Sequence, residues 1–330
     1  MLHVQLGGTG LPVSQLCLGT MTFGLQSDED TSRAIMDRAY DAGVTFFDTA
    51  DVYPLGGDQT TVGRTEEVVG RWLNGRREDI VLATKANGVM SARRWDRGNS
   101  RKHLIEACDA SLRRLGTDYI DLYQLHADDM NTPLDETVRA LDDLVTAGKV
   151  RYVGVSNWAA WRLARSLGVA ELERRVKFVS LQPRYNLLYR AIERELLPLC
   201  RAENIGVIPY NPLAGGLLTG KHSRTGPPPQ NSRFNLGTAG NRYQERYWND
   251  AEFDAVDALA TVANEAATPL TTLAVAWVLN QPGITAPIIG ASRPDQLDDV
   301  LAACDVDLTP DLSAALEDAA GAFKLTEAVR

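Results

Sequence analysis

Ile80-Val81-Leu82-Ala83-Thr84-Lys85 leads, through a loop and a helical stretch, to Ile120-Asp121-Leu122-Tyr123-Gln124-Leu125-His126. Each run is short, apolar and β-rich, and each ends on a polar residue for which a hydrophobic core has no use. Between them Ser100 can cap a helix whose apolar stripe is Leu104, Cys108, Leu112 and Leu115, and Gly116 ends it. Strand, helix, strand is the βαβ unit of a parallel sheet. The unit repeats in both directions. Strand candidates fall at 17–20, 45–48, 80–85, 120–126, 152–157, 178–182, 206–210 and 286–290. Helical patterns fall near 29–42, 63–74, 191–203 and 294–303, and a further helix with Leu134, Val138, Leu141 and Val145 on one face ends at Gly148. A doubly wound sheet usually has fewer strands and an early Gly-rich strand-to-helix turn. Gly7-Gly8-Thr9-Gly10 lacks the G-x-G-x-x-G spacing, and instead joins a small hairpin, 3–6 with 13–16, placed to plug a barrel bottom. The expected fold is α/β: a (β/α)8 TIM barrel with an N-terminal β-hairpin, one domain over 1–330. Two long stretches without periodicity, 87–99 and 222–250, follow strand ends and lie at the C-terminal face, where long loops cover a site.

Net charge is −9 and no Lys/Arg run dominates any stretch, which argues against nucleic-acid or anionic-membrane partners. No apolar stretch approaches the roughly 18 residues of a membrane span. The start, Met-Leu-His-Val-Gln-Leu-Gly-Gly, has no basic region followed by a long apolar one, so no signal peptide is read. Cys17, Cys108, Cys200 and Cys304 are far apart, without metal-type spacing, and read as reduced, mostly buried thiols of a cytoplasmic protein. The histidines, His3, His103, His126 and His222, form no ligand cluster with acids, so no metal is expected.

A barrel collects its strand ends on one face, where its active site sits. Asp48, Lys85, His126, Ser156, Asn157, Gln182 and Tyr210 would therefore converge, with Tyr53 one loop beyond Asp48. Singly, Asp48 could cap a turn, Tyr53 could be an exposed loop aromatic, and His126 a satisfied core histidine. Lys85 resists such a reading, because lysine is almost never buried unpaired. Asp48 on the adjacent strand supplies the partner. A free tyrosine has a pKa of about 10, and a nearby ammonium is expected to lower it. That makes Tyr53 a candidate general acid, with His126 orienting a carbonyl. Hydride delivery to a carbonyl leaves an alkoxide that needs such a proton. Ser156, Asn157 and Gln182 suit a nicotinamide carboxamide, and Tyr210 offers its ring a flat face. Asn211-Pro212-Leu213-Ala214-Gly215-Gly216-Leu217-Leu218-Thr219-Gly220-Lys221-His222 nearly matches the P-loop pattern, but His222 stands where a hydroxyl should, and no helix follows. The stretch remains suited to present backbone N–H groups and Lys221 to a pyrophosphate. Gly290-Ala291-Ser292-Arg293 is expected to open a helix at Pro294, with Ser292 and Arg293 suited to a 2′-phosphate and Gln296 and Asp299 within reach of the adenosine. This points to NADPH.

These residues resemble the aldo-keto reductase family. The matching elements are Gly19-Thr20-Met21-Thr22-Phe23-Gly24, the segment from Asp48 to Tyr53, Ala83-Thr84-Lys85, Asp121-Leu122-Tyr123-Gln124-Leu125-His126, Val153-Gly154-Val155-Ser156-Asn157-Trp158, Gln182-Pro183-Arg184-Tyr185-Asn186 and Pro287-Ile288-Ile289-Gly290. The resemblance implies a (β/α)8 barrel, NADPH, a small carbonyl substrate and a catalytic tetrad, carried by Tyr53, Lys85, Asp48 and His126. It implies cofactor contacts from Ser156, Asn157, Gln182, Tyr210, Pro212, Leu213, Gly215, Lys221, Gly290, Ser292, Arg293, Gln296 and Asp299. Arg233, in Asn231-Ser232-Arg233-Phe234, resembles a basic residue that closes over the cofactor in the potassium-channel β-subunit-like branch. The family often has Glu-Asn where this chain has Asp299-Val300, which removes an adenine contact. Segment 63–72 and Thr20-Met21 are similar to a branch that includes reductases of deoxysugar biosynthesis, so a keto-deoxysugar is one substrate option. The rival is a cofactor-binding, redox-sensing regulatory subunit. The intact tetrad, and the lack of an extension ahead of the hairpin, favour the enzyme.

Overall fold

The computed structural model describes residues 1–230 and 232–324; Asn231, within the 222–250 stretch, and 325–330 lie outside the described residues. Strands β1 (His3–Gln5) and β2 (Pro12–Ser14) form the expected antiparallel hairpin. All eight parallel strands are present: β3 (Cys17–Gly19), β4 (Phe46–Asp48), β5 (Val81–Ala86), β6 (Ile120–Leu125), β7 (Val150–Ser156), β8 (Ser180–Gln182), β9 (Gly206–Val207) and β10 (Ile288–Ile289). Their spatial order runs from β3 to β9 in sequence, with β10 beside β3. The Ile288 N–H donates to the Pro209 carbonyl at 2.8 Å, and Tyr210 bridges Ile288 in parallel, so the sheet closes on itself. The last strands are shorter than expected because Pro209 and Pro287 have no N–H to continue the ladder.

Helices fill the crossovers: α1 (Glu29–Asp41), α2 (Arg64–Leu73), α3 (Arg101–Leu115), α4 (Leu134–Thr146), α5 (Ala160–Glu173) and α6 (Leu196–Ala202). Helix α3 has the caps expected of it: Ser100 accepts the His103 N–H at 3.3 Å, and Gly116 takes the left-handed conformation at φ 64°. The strands alternate between two environments. Leu82, Tyr123 and Val153 face outward to the helices. Cys17, Phe46, Ala83, Leu122, Ile208, Ala286 and Ile288 face inward, and Leu6 and Val13 of the hairpin fill the bottom of this inner cluster. Each inward row therefore ends, at the top, on the residue that follows its last apolar side chain by two: Asp48, Lys85, Gln124 and then His126.

Two expectations need correction. The 222–250 stretch is not all loop, because α7 (Gly237–Tyr247) forms there, ahead of α8 (Asp250–Glu265) and α9 (Leu270–Leu279). Its buried residues, Gly240, Tyr243 and Tyr247, recur at helical spacing. Glycine hides the helix from propensity reasoning, yet tertiary packing requires it: a Cβ at Gly240 would stand 2.8 Å from the Phe234 carbonyl oxygen. The second correction concerns Pro294. It opens a 3-10 turn, Pro294–Leu297, followed by a four-residue α10 (Asp298–Leu301) and another 3-10 turn, Ala302–Asp305. Leu297, Val300 and Ala303 enter the core at a spacing of three, the period of a 3-10 helix. No helix long enough to carry a useful dipole begins beside Arg293. A final helix, α11 (Pro310–Ala319), closes the described chain. No helix among the described residues is long and apolar enough to cross a membrane. The four cysteines are free thiols, and all but the half-buried Cys304 are buried.

Candidate active site

The strand ends bring Asp48, Lys85 and Gln124 side by side, since β4, β5 and β6 are adjacent and Lys85 pairs with Gln124 in register. Lys85 is fully buried. Its Nζ donates to Asp48 Oδ1 at 2.5 Å and to the Thr49 carbonyl at 2.8 Å. Asp48 Oδ2 accepts from Gln124 Nε2 and Gln182 Nε2, both at 2.9 Å. The carboxylate is thus saturated with donors, which is what a buried charge requires. Burial pulls the Lys85 pKa down, but the Asp48 charge and the bond to Asp48 outweigh it, so the net direction is up. The ammonium is a fixed cation.

Tyr53 sits above this cation, with Lys85 Nζ 5.1 Å from its ring centroid. The His126 ring meets the Tyr53 ring edge-on at 5.6 Å. The expectation that Lys85 lowers the phenol's pKa is corrected in its net direction. Burial pushes the Tyr53 phenol up from its ordinary value, the Lys85 charge pulls it down, and the Asp48 charge adds to the rise. Asp48 neutralises much of what Lys85 would otherwise contribute. The proton therefore stays on Tyr53 at neutral pH, which is the state a donor needs. Burial and the nearby Lys85 charge push His126 down to about 3, so its imidazole is neutral.

Farther round the rim, Ser156 Oγ donates to the Gln182 carbonyl at 2.8 Å. Asn157, held at φ 59°, donates to Ser156 Oγ at 2.9 Å and to the His126 carbonyl at 3.2 Å, and accepts the Tyr210 hydroxyl at 2.9 Å. These four residues form one polar arc beside Tyr53 and His126. Gly154 makes room beneath it, since a Cβ there would lie 2.1 Å from Ser180 Oγ.

The stretch after β9 differs from expectation. The Gly215 N–H donates to Asn211 Oδ1 at 2.7 Å and the Gly216 N–H to the Leu213 carbonyl at 2.8 Å, so these amides turn inward. Tyr247 of α7 accepts from Asn186 and Asn211, at 3.1 and 3.0 Å, and ties this helix to the loop. An anion there would rely on side chains. Lys221 is exposed, and the Arg233 guanidinium lies 5.6 Å from the Tyr243 ring centroid. Pro212 and Leu213 border the same turn. On the opposite side, Ser292 Oγ and N–H both approach Gln296 Oε1, at 3.2 and 2.8 Å. Arg293 is exposed and pairs with Asp295 at 3.2 Å. Gly290 follows β10 directly. The Asp299 carbonyl accepts from Thr272 at 2.8 Å, and Val300 is buried in the core.

Sequence reasoning gave no role to three residues. Gln124 braces Asp48, and its place between Leu122 and His126 on the inward face was readable from strand alternation. Asp295 competes for Arg293; a search for cations alone passes over it. Asp51 is fully buried, and neither carboxylate oxygen has a hydrogen-bond partner among the described residues. Burial, with Glu66 nearby, raises its pKa well above the usual carboxylate range.

A sequence model of the Aldo/keto reductase family matches residues 15–320. Similar proteins include an "Uncharacterized oxidoreductase YrpG" from Bacillus subtilis (strain 168), 39% identical over 96% of this chain and 95% of that one. A "Probable voltage-gated potassium channel subunit beta" from Arabidopsis thaliana is 38% identical over 93% of this chain and 92% of its own. The "Versiconal hemiacetal acetate reductase" of Aspergillus parasiticus is 34% identical over 94% of each chain.

Proposed function

The chain belongs to the aldo/keto reductase family, oxidoreductases that act on small carbonyl substrates with a nicotinamide cofactor, and from that premise we propose that it reduces an aldehyde or ketone to an alcohol with NADPH. The observation that carries this reading is the buried Lys85–Asp48 pair directly beneath a protonated Tyr53, with neutral His126 against the same ring. When bound, NADPH would supply the hydride. Tyr53 gives its phenolic proton to the substrate oxygen, which would otherwise remain an alkoxide. The Lys85 ammonium stabilises the phenolate that remains, and Asp48, braced by Gln124 and Gln182, holds Lys85 in place. His126, uncharged, offers a ring N–H to orient the carbonyl without competing as an acid.

The donor set fits the cofactor. Ser156, Asn157 and Gln182 would hold the carboxamide and Tyr210 the ring. Pro212, Leu213, Gly215, Lys221 and Arg233 would border the pyrophosphate, and Gly290, Ser292, Arg293, Gln296 and Asp299 the phosphorylated adenosine. The test is NADPH oxidation by the purified protein against aldehydes, ketones, quinones and keto-sugars, with NADH alongside. The relatives named as potassium channel β subunits favour a second reading, a cofactor-binding regulatory subunit. NADPH binding with no carbonyl-dependent oxidation would choose that reading. Reduced, mostly buried thiols suit the cytoplasm.

A further inference from the structure

Eight large apolar side chains are exposed among the described residues; Met1 and Leu2 lie at the N-terminus and Trp161 and Leu172 on α5, and the other four lie at one end of the barrel. Leu25 (44% exposed), Val89 (43%), Trp95 (52%) and Met130 (64%) all lie in loops that follow β3, β5 and β6. These are the loops around the catalytic strand ends. Clustered exposed apolar groups mark a binding surface.

The loop after β5 is built to present such a surface. Its neck is closed next to His126: Asn87 Nδ2 donates to Asn99 Oδ1 at 3.0 Å, and both asparagines donate to the Ala127 carbonyl, at 3.3 and 3.1 Å. Gly88 lies against Val52, where a Cβ would come within 2.8 Å, so the loop root also touches the neighbour of Tyr53. At the tip, Asp96 turns inward. Its carboxylate accepts from Ser91 at 2.5 Å and from Arg93 at 3.0 Å, and its backbone carbonyl accepts the Met90 N–H at 3.0 Å. Buried His103 lies below it, 3.6 Å away. With the loop's polar groups spent on its interior, Arg94, Trp95 and Arg97 project outward. Among the described residues the loop's arginine ion pair is Arg93 with Asp96, which leaves Arg94 and Arg97 uncompensated in a chain of net charge −9.

We propose that this rim selects carbonyl substrates with an aromatic body and an anionic group remote from the carbonyl, Trp95 stacking on the ring and Arg94 with Arg97 receiving the anion. The inference rests on the reductase reading and names its substrate class. An exposed aromatic offers stacking area at little entropic cost, and planar guanidinium groups match a carboxylate or phosphate.

The test compares kcat/KM, at saturating NADPH and low salt, for 4-formylbenzoate, its methyl ester and butanal. The ester is the more electrophilic of the two benzaldehydes, so preference for the acid reports recognition. The wild-type enzyme should prefer the acid over the ester by about fivefold, the scale of an exposed charge contact. The double variant R94Q/R97Q should bring that ratio near one, as should added salt. Trp95→Ala should lower the ester-to-butanal ratio by a similar factor. A wild-type ratio near one, or a ratio unchanged in R94Q/R97Q, overturns the proposal. Calorimetric binding of 4-(hydroxymethyl)benzoate to the protein with NADP+ separates the two readings. Weaker binding to R94Q/R97Q without turnover of any aldehyde would overturn the reductase reading and support the rim. Turnover with no binding difference would overturn the rim alone.

Discussion

Replacing Asp48 by Asn removes the carboxylate from a fully buried ammonium. Asparagine keeps one oxygen and puts an amide NH2 in place of the other, so either Lys85 Nζ, which retains the Thr49 carbonyl at 2.8 Å, or the Gln124 and Gln182 amides, 2.9 Å away, face a donor, and Lys85 has no counter-charge in either case. Breaking a buried ion pair by removing one partner costs about 3–5 kcal/mol. An unfolding entropy of about 2.1 cal/mol/K per residue amounts to about 0.7 kcal/mol/K for 330 residues, so the melting temperature should fall by about 4–7 °C. Lys85→Met removes the ammonium instead and leaves the carboxylate with its two glutamine donors. In the double variant no charge remains, and most of the lost stability should return, with a coupling of about 2 kcal/mol. Activity should not return, because the proton donor has lost its cation. Scanning calorimetry of the four proteins and a parallel cycle in kcat measure both. A melting point for Asp48→Asn within about 1 °C of wild type, or single losses that simply add, would refute the coupling.

Arg293→Ala should weaken NADPH more than NADH. A charged contact to phosphate brings about 1.5–3 kcal/mol, and displacing the exposed Asp295 costs about 0.2–1 kcal/mol of it, leaving about 0.5–2.8 kcal/mol, or roughly two- to hundredfold. Asp295→Asn should tighten NADPH binding; equal losses for both cofactors in Arg293→Ala would move the contact to Lys221 or Arg233. For His126 the folded pKa is about 3 and the ordinary value 6.5. The unfolded state binds more protons between them, so stability rises with pH across that window and is lost toward acid. His126→Gln should flatten the melting temperature over that range, and an imidazole titrating near its ordinary value by NMR would contradict the burial argument. Tyr210 should cover one face of the nicotinamide, so stereospecifically deuterated NADPH should show transfer of one C4 hydrogen alone, the pro-R one if the family resemblance extends to the cofactor's orientation; transfer of both would contradict the stacking.

The eight strands were legible because their apolar runs are short and all but the last end on a polar residue. The core rows of a barrel alternate, and Leu122, Gln124 and His126 follow that alternation to the rim. The same rule gives Gln124 its place, although nothing in its identity announces a brace for Asp48. Helix α7 was hidden because Gly237 and Gly240 argue against a helix, and only packing on Phe234 demands one. The direction of the Gly215 and Gly216 amides depends on Asn211, whose side chain takes one of them; spacing alone cannot supply that. The net shift of Tyr53 depends first on its burial and then on how far Asp48 offsets Lys85, a balance that a sequence does not contain.

Tyr53→Phe tests the central claim most directly. The change keeps the ring against Lys85 and His126 and removes the proton. NADPH affinity, measured by titration, should persist, while kcat on the best carbonyl substrate falls by about 10²-fold or more, the scale of a lost general acid. A variant that binds NADPH and keeps near wild-type kcat would contradict the assignment of Tyr53 as the proton donor.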